Sequence, residues 1–109
     1  MKPEDQQIAI AEWCGWEITK LDYEYTQPVG YTYVNGIKKI NVIPNYPNDL
    51  NAMREAEFKL NDGQAMEYER NLRIICGEKQ YRNVISAESS KRAEALLRTI
   101  GRWTDDQTK

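Results

Sequence analysis

Histidine is absent from this 109-residue chain. With it goes the side chain that most often serves as general base or metal ligand near neutral pH. Cysteine occurs twice, at Cys14 and Cys76, too sparse and too far apart for a disulfide scaffold or a metal knuckle. There is no glycine-rich phosphate loop, no nucleophile elbow and no CxxC pair, so the usual sequence marks of nucleotide hydrolysis, acyl transfer and thiol redox chemistry are missing. No apolar run approaches the ~20 residues of a transmembrane helix. The opening Met1-Lys2-Pro3-Glu4-Asp5 lacks the apolar core of a signal peptide. Basic excess is missing too: 15 Lys+Arg stand against 17 Asp+Glu, which argues against a general nucleic-acid binder.

What is present is unusual in kind. Phenylalanine occurs once, while tyrosine occurs seven times and tryptophan three times, so rings with polar tips supply much of the apolar volume. Such rings favour boundaries and interfaces over the deep core. Length and composition fit one domain, residues 1–103, followed by a polar tail at 104–109. The lean aliphatic content favours burial against a second copy of the chain.

Pro3 to Cys14 reads as a first helix, with proline in its first turn and Gly15 as its stop. Ile8, Ala9, Ile10, Ala11, Trp13 and Cys14 leave it only a narrow polar face, so it needs cover on more than one side. Residues 16–43 read as sheet. Trp16 and Ile18 share one parity and Leu21, Tyr23 and Tyr25 the other, which predicts a bulge near Thr19-Lys20. Asn35-Gly36 between Tyr31–Val34 and Ile37–Ile43 predicts a hairpin, and Lys38-Lys39 marks an exposed or edge part of it. Asn48 or Asp49 caps a second helix over roughly 49–61, with Leu50, Met53, Ala56 and Leu60 as its core stripe. Asp62-Gly63 is expected to end it, and a third helix runs from Gln64 to about Cys76. Residues 77–85 read as strand or loop. Ser86 starts a fourth helix that reaches Ile100, with Ala93, Leu96, Leu97 and Ile100 inward. The expected fold is α+β, helices packed on a small antiparallel sheet as an α-β-α sandwich.

Among the acids Glu57 stands out, because it falls on the apolar stripe of the second helix. It reads either as a carboxyl with a raised pKa or as a carboxylate paired with an arginine at a packing boundary. Cys14 and Cys76 read as packing residues, since neither has an activating neighbour in sequence. Anion binding has more support. Ser86-Ala87-Glu88-Ser89-Ser90-Lys91-Arg92 places hydroxyls, backbone N–H groups and cations at a helix start, although Glu88 opposes an anion there. Lys91, Arg98 and Arg102 line the outer face of that helix, and Arg54 flanks the stripe of the second. Each reads as a ligand contact or as a solvated helix face. Trp13, Trp16, Tyr68, Tyr81 and Trp103 read as core, as interface or as stacking platforms.

Three stretches taken together carry a resemblance. They are Gly15-Trp16; Pro44-x-Tyr46-x-x-Asp49-Leu50-Asn51-Ala52-Met53-x-Glu55-Ala56-Glu57; and Arg92-Ala93-Glu94-Ala95-Leu96-Leu97-Arg98-Thr99-Ile100-Gly101-x-Trp103. In that order they resemble the phage ABA-sandwich domain family over roughly residues 8–103. That resemblance implies a sheet layered between helices and an accessory protein of the host cytoplasm. More loosely, the chain is similar to the small oligomeric phage proteins that sequester nucleotide immune signals.

The leading expectation is therefore a phage counter-defence protein that binds a cyclic nucleotide or ADP-ribose-type messenger without cleaving it. It would need no cofactor and no metal, and would engage neither long nucleic acid nor membrane. Arg54, Arg92 and Arg98 would neutralise phosphates, Ser90 would donate a hydrogen bond, and Trp16 would stack on a base. A homo-oligomer, at least a dimer and up to a hexamer, is expected with the first helix in an interface. The alternative is an accessory protein that docks on a host or virion protein through its aromatic surface. A small enzyme using Glu57 is the least favoured reading.

Overall fold

The computed structural model describes residues 1–18, 29–77 and 88–105. It is an α+β fold with helices packed on a small antiparallel sheet, as expected. The elements are α1 (Pro3–Trp13), β1 (Glu17–Ile18), β2 (Val29–Val34), β3 (Ile37–Val42), a 3-10 turn (Tyr46–Asn48), α2 (Leu50–Glu57), α3 (Asp62–Ile75) and α4 (Ser89–Thr99). The sheet order is β1-β2-β3. The predicted bulge at Thr19-Lys20, the strand at 21–25, most of the stretch 77–85, the helix start at Ser86 and most of the tail lie outside the described residues.

Asn35 and Gly36 both take positive φ, 53° and 79°. These are the backbone angles a two-residue turn of type I′ requires, and they join strands of matching twist. Val34 therefore faces Ile37, and the register runs on to Val29 opposite Val42. At the other side Glu17 faces Tyr31 and Ile18 faces Gly30. Gly30 is needed there: a Cβ on it would stand 2.9 Å from the Glu17 carbonyl oxygen and 3.2 Å from the Trp16 ring.

The helices gather around α4. Ala93, Ala95, Leu96 and Leu97 are buried, and α1, α2, α3 and the 3-10 turn all pack against this helix. The expected inward residue Ile100 is only partly buried at its end. From α1 come Ala9, Ile10 and Ala11, and from α2 come Met53 and Ala56. Ile43 and Tyr46 close the core where the chain leaves the sheet.

α1 packs within the protomer against α4, the 3-10 turn and β1, burying Ala9, Ile10 and Ala11 while Ile8 and Trp13 stay partly exposed. One expectation is corrected: Asp62-Gly63 opens α3 instead of ending α2. Asn61 caps α3 by accepting from the Gln64 N–H at 2.8 Å, while the Gln64 side chain accepts from the Asn61 N–H at 3.1 Å. That reciprocal pair outweighs the helix-breaking tendency of Gly63, and α2 stops early, at Glu57. β3 is exposed along its whole length, in keeping with the exposed or edge position that Lys38-Lys39 marks. No helical layer covers that strand among the described residues, and the sheet meets the helices chiefly through α1 against β1.

Asp49 caps α2 as predicted, accepting from the Ala52 N–H at 3.1 Å. A buried Gln7 side chain donates to the Ile43 carbonyl at 2.8 Å. It thereby fastens α1 to the exit of β3 and satisfies a backbone acceptor that has left the ladder. Among the described residues no helix is long and apolar enough to cross a membrane.

Candidate functional site

A cleft of about 380 Å3 opens where the end of α1, the sheet and α2 meet. Cys14 and Trp16 line it from the segment after α1, Thr32 from β2, Tyr46 from the 3-10 turn, and Glu55 and Lys59 from the α2 side. Trp16 is half-buried and packs against the core, so its ring is fixed before any ligand arrives. Gly30 makes room for that ring. Glu55 and Lys59 lie four positions apart, and both are exposed. The cleft therefore has an aromatic ring and both signs of charge in its lining.

Its floor is electrically quiet. Burial pushes the Cys14 thiol up, and this outweighs the hydrogen bond from Tyr46 and the charge of Lys59. Burial also pushes the Tyr46 hydroxyl well above the ordinary phenol range. Both groups are held protonated at neutral pH, which suppresses the thiolate that a nucleophilic cysteine needs. Among the described residues no group of three or more acids or cysteines stands ready to hold a metal ion.

Of the five residues singled out from sequence, Trp16 lines this cleft and the other four do not. Arg54 is exposed on α2, and Ser90 is exposed in the first turn of α4. It is the neighbouring Ser89 that is engaged, its hydroxyl donating to the Pro47 carbonyl at 2.8 Å. Arg92 is committed to Glu57: its Nη1 donates to Glu57 Oε2 at 2.9 Å, with both side chains largely buried. Burial alone would lower the Arg92 pKa, but the hydrogen bond and charge of Glu57 reverse this and hold the guanidinium charged. The Tyr68 hydroxyl donates to the same carboxylate oxygen. Of the two readings of Glu57, the paired carboxylate is the one the geometry bears out.

Arg98 pairs with Glu94 at 2.8 Å and lies 5.2 Å from the Trp103 ring centre. Arg102, just past the end of α4, reaches Glu12 of α1 at 2.6 Å. Two of the three cations of that stripe, Arg98 and Arg102, are thus paired with acids of the chain.

Comparison with known proteins finds no matching family model, curated protein or solved structure. No family is identified for the chain. The site must be read from its own chemistry.

Glu55 and Lys59 were not legible as site residues. Their one sequence signal is the i,i+4 spacing on an exposed helix face, which ordinary solvated helices share. Tyr46 reaches the cleft only through the path of the chain after the hairpin, and Thr32 through its place on β2.

Proposed function

We propose that the protein is a non-catalytic binder of a small nucleotide-type ligand, held in the cleft that Trp16, Glu55 and Lys59 line. The observation that carries this reading is a cleft of about 380 Å3 that has a pre-positioned indole, an ammonium and a carboxylate in its lining. Small-molecule sites run from about 300 to 1,000 Å3 and combine apolar walls with a few convergent polar groups. A base stacked on Trp16 contributes on the order of 1–3 kcal/mol. Lys59 offers one cation to a phosphate, Glu55 accepts from ribose hydroxyls, and the Thr32 hydroxyl adds a donor.

The suppressed Cys14 thiol supports holding the ligand rather than attacking it. Sequestration of a cyclic nucleotide or ADP-ribose-type signal, the counter-defence role that the phage resemblance implies, is the biological form we propose for this binding. In it Lys59 takes the phosphate-neutralising part first expected of Arg92 and Arg98, whose charges are spent on Glu57 and Glu94.

Calorimetry against a panel of cyclic mononucleotides, cyclic dinucleotides and ADP-ribose isomers tests this reading, with recovery of the ligand after denaturation. At least one ligand should give heat and return intact. Trp16→Ala should weaken it at least about tenfold, the equivalent of one lost stacking contact, and Lys59→Ala should raise the Kd at low salt and flatten its salt dependence. Silence across the panel, or recovery of a hydrolysed product, would sink the reading.

A further inference from the structure

We propose that β3 is a self-association edge: two copies of this chain pair antiparallel along it, about a two-fold axis at Ile40, into one continuous six-stranded sheet. The inference is independent of the cleft and rests on the hairpin alone.

Among the described residues β3 is the outer strand of the sheet. The two-residue turn fixes which of its backbone groups are free. In such a hairpin the residues flanking the turn exchange both hydrogen bonds, and bonded and non-bonded pairs then alternate. Val34–Ile37, Thr32–Lys39 and Gly30–Asn41 are therefore the bonded pairs. The N–H and C=O groups of Lys38, Ile40 and Val42 point away from β2, to the open edge.

That row is symmetric about Ile40. Turned through 180°, a second copy sets Ile40 against Ile40 and Lys38 against the other copy's Val42, using every outward group in the strand. Lys39 falls opposite Asn41, so no like charges meet. Moving the axis to Lys39 would place two lysines directly opposite, which is destabilising. Moving it to Asn41 would bring Lys38 against Pro44, which has no N–H to give. One register is favoured on both counts.

The usual guard of an edge strand is a lysine that extends past it. Here Lys38 is drawn back over its own sheet, 3.2 Å from Glu17 Oε1 and 4.1 Å from the Tyr31 ring centre. The hairpin also leaves Tyr33, Val34, Ile37, Ile40 and Val42 between 46% and 60% exposed. Tyr33, Ile40 and Val42 share one face of the sheet and Val34 and Ile37 the other, so edge pairing covers the flanks of the β3 side chains and not these faces, and the backbone ladder carries the contact. A second copy is the occupant that matches this strand in length, register and charge at once.

Sedimentation equilibrium up to a concentration of roughly 100 µM, ordinary for a weak homodimer, should give twice the 12.8 kDa chain mass. Ile40→Lys places like charges on the axis and should weaken the dimer at least about tenfold, with the circular-dichroism melt retained. Under mild oxidation Ile40→Cys should cross-link efficiently, because a bonded pair holds its Cα atoms about 5.5 Å apart, within disulfide reach. Ile37→Cys, about 20 Å from its own copy in this register, should stay at the wild-type level. If Ile40→Lys fails to fold, the two cysteine variants decide the matter by themselves. A chain that stays at single mass throughout overturns the proposal, including the case in which protected β3 amides show that its own chain covers the edge. So does a dimer in which Ile37→Cys cross-links as well as Ile40→Cys.

Discussion

Arg92 on α4 and Glu57 on α2 are joined by a 2.9 Å ion pair across 35 positions of sequence, and Tyr68 on α3 donates to the same carboxylate oxygen. One carboxylate thus ties three helices at the edge of the core. Both charges are mostly out of water, so neither is easily replaced: removing one leaves the other desolvated and unpaired.

Glu57→Gln should lower the unfolding free energy by about 1–3 kcal/mol, in the range of a lost charge-assisted hydrogen bond. Adding Arg92→Met should recover part of the loss, since the stranded cation is gone. A urea double-mutant cycle measures the coupling. Ligand binding in the cleft should be unchanged in Glu57→Gln, which separates this structural role from a ligand-binding one.

Alkaline pH should destabilise the fold through two phenols. Burial, aided by Glu57, raises the Tyr68 pKa above its ordinary value, and burial raises that of Tyr46. A group whose folded pKa is raised stabilises fully below its unfolded pKa, here about 10. The stabilisation is lost as pH climbs from there toward the folded value, because the unfolded chain releases its protons first. Urea midpoints followed from about pH 9 to about pH 12 should fall, and Tyr68→Phe should make that fall shallower.

Gly30→Ala should be costly although Gly30 sits in an ordinary strand. Its Cβ would press on the Glu17 carbonyl, which is backbone and yields little, and on the Trp16 ring. A loss of about 1–3 kcal/mol is expected from the overpacking, with a shift in tryptophan fluorescence as the ring is displaced. Affinity for a cleft ligand should drop with it.

Asn61→Ala should cost about 1 kcal/mol by undoing the capping box of α3. Asn61→Asp should restore most of that, as thermal melts of the two variants will show.

The elements legible in sequence were those with a local cause. Pro3 in the first turn of α1, Asn35-Gly36 and Asp49 each fix nearby backbone, and α1, the hairpin and the start of α2 follow from them. The α2–α3 break was misplaced because Asp62-Gly63 looks like a stop until the exchange between Asn61 and Gln64 is seen. Charge was harder to read. Arg92, Arg98 and Arg102 look alike on a helical wheel, yet their partners Glu57, Glu94 and Glu12 come from three different elements. Two of those partners are brought close only by the fold. The cleft was illegible for the same reason, since Trp16, Thr32, Tyr46 and Lys59 belong to four separate segments.

The place of α4 in the chain has a consequence for synthesis. It is the helix on which α1, α2, α3 and the 3-10 turn converge, and it follows all of them in the chain. Until Leu96 and Leu97 have emerged, Ile10 and Met53 have only part of their packing partners, and loop closure has nothing to offset it. A nascent chain stalled before residue 89 should therefore stay open to proteases, and resistance should arrive in one step once α4 clears the exit tunnel. The elements ahead of α4 wait, incompletely packed, for the helix that joins them.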